Sequence, residues 1–260
     1  MDDIRLSKLS TRAPKTAGKE KIKAKTAEMI EELNDLQNLL YAESRHSLLI
    51  VLQGMDASGK DGLIRDVFGK MNPQGVRVAS FKEPSELESS HDFLWRIHLQ
   101  TPAKGMIQLF NRSHYEDILI ARVHKWCSDK TARSRMRAIN DFEWMLTEHN
   151  QTTVLKFYLH LSQEEQHTRL EERLKDPKKQ WKYNEKDLQE SELWALYRKM
   201  YEDCFRHCNK IPWHIIPADQ NWYKEYLVAN IVLETLKGFK MRYPGLKKEK
   251  QPAHSQNAVF

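Results

Sequence analysis

Cysteine is scarce in this chain, and long apolar runs are missing. Three cysteines in 260 residues, Cys127, Cys204 and Cys208, are too few and odd in number for a disulfide framework, so a reducing cytoplasm is expected. Cys204 and Cys208 share a helix face around His207, yet no fourth ligand stands at finger spacing, and packed thiols are expected there rather than zinc. No apolar stretch approaches membrane-spanning length, and the N-terminus has no apolar targeting core, so a soluble protein is expected. Neither an internal repeat nor an interdomain linker is visible. A single domain is therefore expected over residues 26–240.

What is abundant is charge of both signs. Against 40% hydrophobic residues, enough for a core, stand 42 Lys+Arg and 36 Asp+Glu, a net charge of +6. A basic excess favours nucleotides, polyphosphate or nucleic acid without choosing among them. Much of it lies in Lys15, Lys19, Lys21, Lys23 and Lys25 at one end and Lys247, Lys248 and Lys250 at the other. Residues 1–25 and 241–260 read as flexible basic tails.

Five short apolar segments read as strands: Ser47–Leu52, Val76–Phe81, Gly105–Phe110, Thr153–Leu159 and Trp213–Ile216. Helical stripes alternate with them. One runs from about Ala24 to Glu43, another from Asp61 to Lys70, and a third, capped by Asp129, carries Met136, Ile139, Phe142 and Met145 inward. Ser162-Gln-Glu-Glu165 is a capping-box pattern, Asn184 can open one long helix through Phe205, and Asn221 can open the last. Such alternation predicts an α/β fold, a parallel five-stranded sheet with helices on both faces.

Chemistry enters at Gly54-Met-Asp-Ala-Ser-Gly-Lys60-Asp61, directly after the first strand. A glycine-framed turn ending in lysine is the layout of a phosphate-cradling loop. The usual last hydroxyl is replaced by Asp61, and Asp56 lies inside the loop. Two carboxylates beside a polyphosphate repel it unless divalent metal neutralises them, so magnesium-dependent phosphoryl chemistry is expected. The third strand ends in Asn111-Arg-Ser-His-Tyr-Glu-Asp117, which a doubly wound sheet brings beside the loop. Asp117 can hold magnesium there, and the planar fork of Arg112 can brace phosphate oxygens. A second basic cluster, Arg169, Arg173, Lys178, Lys179 and Lys182, spans a helix end and hinge at about residues 165–190. It suits a lid closing over a polyanion.

These segments resemble the type-2 polyphosphate kinases from about residue 20 to residue 240. Besides the two above, the matching stretches are Met71–Gly75, Ser80–Pro84, His91–Arg96, Arg122–His124, Asp176–Lys182 and Ile216–Asp219. The resemblance implies a P-loop kinase-like three-layer sandwich with a helical lid. It implies transfer of a phosphoryl group between inorganic polyphosphate and a nucleotide, with magnesium or manganese. Asn111, Glu116 and Asp117 resemble the third class, whose members accept nucleoside mono- and diphosphates. Carried over by position, Asp56 and Asp117 hold the metal, and Lys60, Arg112 and Arg122 balance charge. Gly54, Ala57, Ser58, Gly59, Asp61, Lys82, Asp92, Arg96, Asn111, Glu116 and Arg122 contact purine nucleotide. Lys60, Arg112 and the lid cations contact polyphosphate. A homo-oligomer, dimer or tetramer, is also implied.

Two other readings compete. An ATP-dependent nucleotide kinase of the thymidylate-kinase type would share loop, Asp117 and lid. A basic nucleic-acid-binding module would leave Asp56, Asp61 and Asp117 unexplained, so neither nucleic acid nor membrane is expected as a partner.

Overall fold

Side chains alternate across β1, and each set finds its own helical layer. A computed structural model describes residues 4–246. After a single 3-10 turn at Leu6–Lys8 come α1 (Lys19–Glu43), β1 (Ser47–Gly54) and α2 (Lys60–Leu63). β2 (Val76–Ser80), α3 (Glu86–Ser89), α4 (Trp95–His98), β3 (Ile107–Asn111) and α5 (Ile120–Val123) follow. Then come α6 (Asp129–Asn150), β4 (Thr152–His160), α7 (Gln163–Lys175), α8 (Glu185–Glu192) and α9 (Trp194–His207). β5 (Trp213–Pro217) and α10 (Asn221–Gly238) close the fold.

The five strands form one parallel sheet in the order β2-β3-β1-β4-β5, with Leu48 of β1 level with Ile107 and Thr153. Leu48, Ile50 and Leu52 pack with Leu33 and Leu40 of α1 and Val232 and Leu236 of α10. Leu49 and Val51 face the other way, onto Ile139 and Phe142 of α6 and Tyr201 and Phe205 of α9. Covered on both faces, β1 is apolar along almost its whole length, as a central parallel strand must be. The result is the three-layer sandwich expected.

All five predicted strands are present, while several helices differ in detail. The expected Asp61–Lys70 helix winds as α2 and then as a π turn, Ile64–Phe68. Buried Leu63, Val67 and Phe68 stand at a spacing that either winding satisfies. Ser128 rather than Asp129 caps α6, accepting from Thr131 N at 3.1 Å, and Leu146 takes the inward place expected of exposed Met145. Ser162 accepts from Glu165 N at 3.2 Å, but its own N–H donates to Asp219 Oδ1 at 2.8 Å, so only half of the box forms. The long helix starting at Asn184 breaks at Leu193 into α8 and α9, and Gln220 precedes α10 in the cap position.

The N-terminal segment is also a correction. Residues 4–25 are not a loose tail: Leu6 is 1% exposed in the core, and α1 already begins at Lys19. Apolar burial and side-chain partners outweigh the basic composition. Residues 241–246 carry no helix or strand, and Lys247, Lys248 and Lys250 lie outside the described residues. Cys204 and Cys208 are buried free thiols. Among the described residues, no helix is long and apolar enough to cross a membrane.

Candidate active site

The carboxyl end of β1 turns at Gly54 with φ +155°, and a Cβ there would meet Ser58 Oγ at 2.8 Å and Leu159 O at 3.0 Å. Only glycine fits. Gly59, left-handed at φ +85°, closes the loop ahead of α2, and Ala57 between them is left-handed at φ 61°. A non-glycine residue stays in that region only where its surroundings fix it. Lys60 folds back so that Nζ donates to Gly54 O at 2.9 Å, Met55 O at 3.2 Å and Ser58 Oγ at 3.4 Å. Burial, with the nearby Arg112 charge pushing the same way, lowers Lys60 to about 8.

The segment after β3 supplies the opposite wall. Arg112, also left-handed at φ 62°, places Nη2 2.6 Å from Asp56 Oδ1 and Nη1 3.7 Å from Glu116 Oε2. Burial pulls Arg112 down, but Glu116 and Asp56 outweigh it and hold the guanidinium above its usual range. The charge of Asp56 is thus balanced by the chain itself, where the sequence argument assigned that task to metal. Asp61 is balanced too, accepting from Asn111 Nδ2 at 2.8 Å and Lys182 Nζ at 3.3 Å. These partners outweigh its burial and lower it.

Asp117 is different. Burial raises it despite Arg96, Arg135 and His114, and its Oδ2 is buried with no hydrogen-bond partner, the Arg96 guanidinium standing 3.9 Å away. Among the described residues, no group of three or more acidic, His or Cys side chains converges as a metal cage. A site for magnesium here therefore rests on one or two carboxylates completed by phosphate oxygens and water, which is that ion's habit. Asp56 and Asp117, whose Oδ2 lacks a hydrogen bond, both line the smaller cavity and fit that pattern.

Two cavities meet at this wall. The larger, about 1010 Å³, runs from the phosphate loop to the segment after β4 and is lined by Lys60, Asn111, Arg169, Arg173, Lys178, Lys179 and Lys182. The smaller, about 600 Å³, is lined by Gly54, Arg96, Glu116 and Asp117. Asp56, Lys82 and Arg112 line both. Ala57, Ser58, Gly59 and Asp61 face the larger cavity. The Asp56–Arg112 pair is thus reachable from either cavity.

Other expected residues sit elsewhere or are already engaged. Asp92 lines neither cavity, and its carboxylate accepts from Leu94 N at 2.9 Å in a turn. Arg122 lines neither, its guanidinium being held 2.8 Å from Asp129 and 2.7 Å from Asp203. Arg169 uses four donors on Glu165, Ala57 O, Ala218 O and Asp219 O at 2.8–3.0 Å, so it braces the loop from behind. Arg173 pairs with Asp187 at 2.7 Å and Lys179 with Glu172 at 2.8 Å. Arg173 and Lys179 are therefore partnered by acids of the same segment, and Lys182 by Asp61 of the loop. A polyanion would exchange with those acids.

Sequence reasoning missed three features. Lys224, 1% exposed, donates to Gly59 O at 3.1 Å and is lowered to about 8 by burial and by Arg169. Its signal was a lysine in the first turn of a helix that opens after the matched Ile216–Asp219 stretch. Trp126, 70% exposed, lines the smaller cavity and stacks on His124 at 4.9 Å between ring centres. Beneath the Asn111–Asp117 segment, Glu143 accepts from Tyr115 OH at 2.7 Å and Lys156 Nζ at 2.7 Å, with His114 Nε2 at 3.2 Å.

The family model described as polyphosphate kinase 2 (PPK2) matches residues 16–244. The chain is 48% identical over 229 residues to an AMP/ADP-polyphosphate phosphotransferase of Meiothermus ruber, covering 87% of this chain and 85% of that one. It is 42% identical over 229 residues to an ADP-polyphosphate phosphotransferase of Rhodopseudomonas palustris, covering 83% and 79%. The crystal structure of polyphosphate kinase 2 from Arthrobacter aurescens superposes with a TM-score of 0.91 at 40% identity, over 95% of this chain and 89% of that one. Matched over residues 16–244 and 48% identical to a relative over 87% of its own length, the chain belongs to the polyphosphate kinase 2 family.

Proposed function

We propose that this enzyme transfers a phosphoryl group between inorganic polyphosphate and purine nucleoside mono- and diphosphates, AMP and ADP or GMP and GDP. One observation carries the reading: a cation-lined cavity and a second, mixed cavity share the Asp56–Arg112 wall. The first suits an extended polyanion, the second a nucleotide. The name of the Meiothermus ruber relative, which specifies both AMP and ADP, supports acceptance of both acceptor types.

Phosphoryl transfer needs positioning and charge compensation more than covalent help. Lys60 exchanges its loop carbonyls for the transferring phosphate, and Arg112 bridges attacking and leaving oxygens. Lys82 and Arg96 orient the acceptor, whose phosphate is already ionised and needs no strong base. Bound magnesium, for which manganese substitutes, supplies further neutralisation of phosphate charge, with Asp56 and Asp117 as its protein ligands. The lid over residues 165–190 excludes water from the transfer. We place the enzyme in the cytoplasm as a homo-oligomer, without nucleic-acid or membrane partners.

The test is an assay with polyphosphate as sole phosphate source, comparing AMP, ADP, GMP and GDP with and without magnesium. ATP formed from ADP is the expected result. A strict requirement for ATP as donor would replace this reading with an ordinary nucleotide kinase.

A further inference from the structure

The matched Ile216–Asp219 stretch lines neither cavity, yet Asp219 is a junction. Its Oδ2 accepts from Thr11 Oγ1 at 2.7 Å, and its N–H donates to Thr11 O at 3.0 Å. Its Oδ1 accepts from Ser162 N at 2.8 Å, fixing the first turn of α7. Its carbonyl accepts from Arg169 Nη2 at 3.0 Å, and Arg169 Nη1 donates to Ala57 O at 3.0 Å. A continuous path of hydrogen bonds therefore runs from Thr11 through Asp219 and Arg169 to the left-handed alanine of the phosphate loop.

The segment carrying Thr11 is itself anchored. Leu6 is buried in the core and its N–H donates to Glu202 Oε1 at 2.8 Å. His160 Nε2, at the end of β4, donates to Leu6 O at 3.2 Å and Leu9 O at 3.3 Å. Ala13 N donates to Gln220 Oε1 at 2.9 Å. Residues 4–13 thus lie as a strap over the carboxyl ends of β4 and β5, behind the loop. Asp219 fixes both the helix that bears Arg169 and the direction of its guanidinium, so the strap reaches the brace through Asp219.

We propose that Thr11 and Asp219 are positioning residues for phosphoryl transfer: through Arg169 they hold Ala57 and the phosphate loop in the shape that accepts phosphate. The left-handed alanine needs outside restraint, and the Arg169 bond to its carbonyl is that restraint. The inference rests on residues 54–60 being the phosphate loop. It makes the N-terminal strap part of the machinery rather than a solvated tail.

The experiment uses the full chain with Thr11→Val, Thr11→Ser, Asp219→Ala and Asp219→Asn. Each is assayed for polyphosphate-dependent ATP formation from ADP, well below its melting temperature, with circular dichroism to fix the folded fraction. Tripolyphosphate affinity is measured separately by calorimetry. Thr11→Val is expected to lower kcat and tripolyphosphate affinity about fivefold per folded molecule, Asp219→Ala about 20-fold. Thr11→Ser should restore both values. Asp219→Asn should recover most of the loss, since its amide can accept from Ser162 N and donate to Thr11 Oγ1. If Thr11→Val melts earlier but keeps wild-type kcat and tripolyphosphate affinity, the strap only adds stability and the inference is wrong. Should the wild type bind tripolyphosphate without transferring phosphate, the proposed reaction fails, while the binding comparison still decides this inference.

Discussion

Arg112 and Asp56 meet at 2.6 Å on the wall between the two cavities, and the same guanidinium stands 3.7 Å from Glu116. One planar cation therefore keeps two carboxylates compatible with an anionic substrate before any other charge arrives. Arg112→Ala should reduce kcat about 100- to 1000-fold, the usual effect of removing a preorganised charge-stabilising donor. Arg112→Lys should rescue little, because a point charge cannot span both acids. Initial rates with saturating ADP and polyphosphate check both.

Lys60 gives a signed pH prediction. Lowered by burial to about 8, it is charged below that pH and loses its proton above it in the free enzyme. kcat/KM for polyphosphate should therefore fall as pH rises through about 8. Lys224 is lowered to about 8 as well, so the profile is repeated in Lys224→Met. Persistence of the limb in that variant assigns it to Lys60; its disappearance assigns it to Lys224. For stability the sign is opposite. The unfolded chain binds more protons between about 8 and the ordinary lysine range, so these two groups make the ligand-free protein more stable as pH rises through that window.

Asp117 should report on the proposed magnesium. Its buried, unpartnered Oδ2 leaves it available where Asp56 is already paired. Asp117→Asn should raise the magnesium concentration needed for half-maximal rate about tenfold or more, as losses around metal sites do. A titration of rate against magnesium measures this; an unchanged midpoint would remove Asp117 from the proposed ligand set.

The proposed lid makes a prediction about salt. Replacing Lys178, Lys179 and Lys182 with Ala should raise KM for polyphosphate and flatten its dependence on ionic strength, with KM for AMP changed less. The exposed Lys182–Asp61 pair at 3.3 Å is worth about 0.2–1 kcal/mol, so its exchange for phosphate opposes binding little. Equal KM increases for both substrates would count against a polyphosphate track.

Below the Asn111–Asp117 segment, Lys156 and Glu143 are an ion pair at 2.7 Å with neither side chain exposed. Lys156→Met leaves the Glu143 carboxylate buried with only His114 and Tyr115, and should cost about 3–5 kcal/mol of stability. Chemical denaturation compares it with wild type.

The sequence was most readable where one local rule decides the outcome. An unbroken apolar run marked β1, and the glycines at 54 and 59 marked a turn that no other residue can make. Asp56, Lys60 and Arg112 came together, with Asp117 on the adjoining smaller cavity, because parallel strands deliver their carboxyl ends to one edge. Arg122 and Asp92 misled because a charged side chain beside a motif looks the same in sequence whether it faces substrate or an acid such as Asp203. Lys224 and Thr11 were hidden for the complementary reason. Their partners, Gly59 and Asp219, lie 165 and 208 residues away, a distance over which no periodicity speaks.

The missing side chain at Gly59 has a consequence for how such sequences diverge. A methyl group there would lie 2.5 Å from Lys224 Nζ, so the ammonium occupies the space that a larger residue would need. The two sites, remote along the chain, meet here, but a lineage that lost the lysine would still need glycine, because the backbone is left-handed at φ +85°.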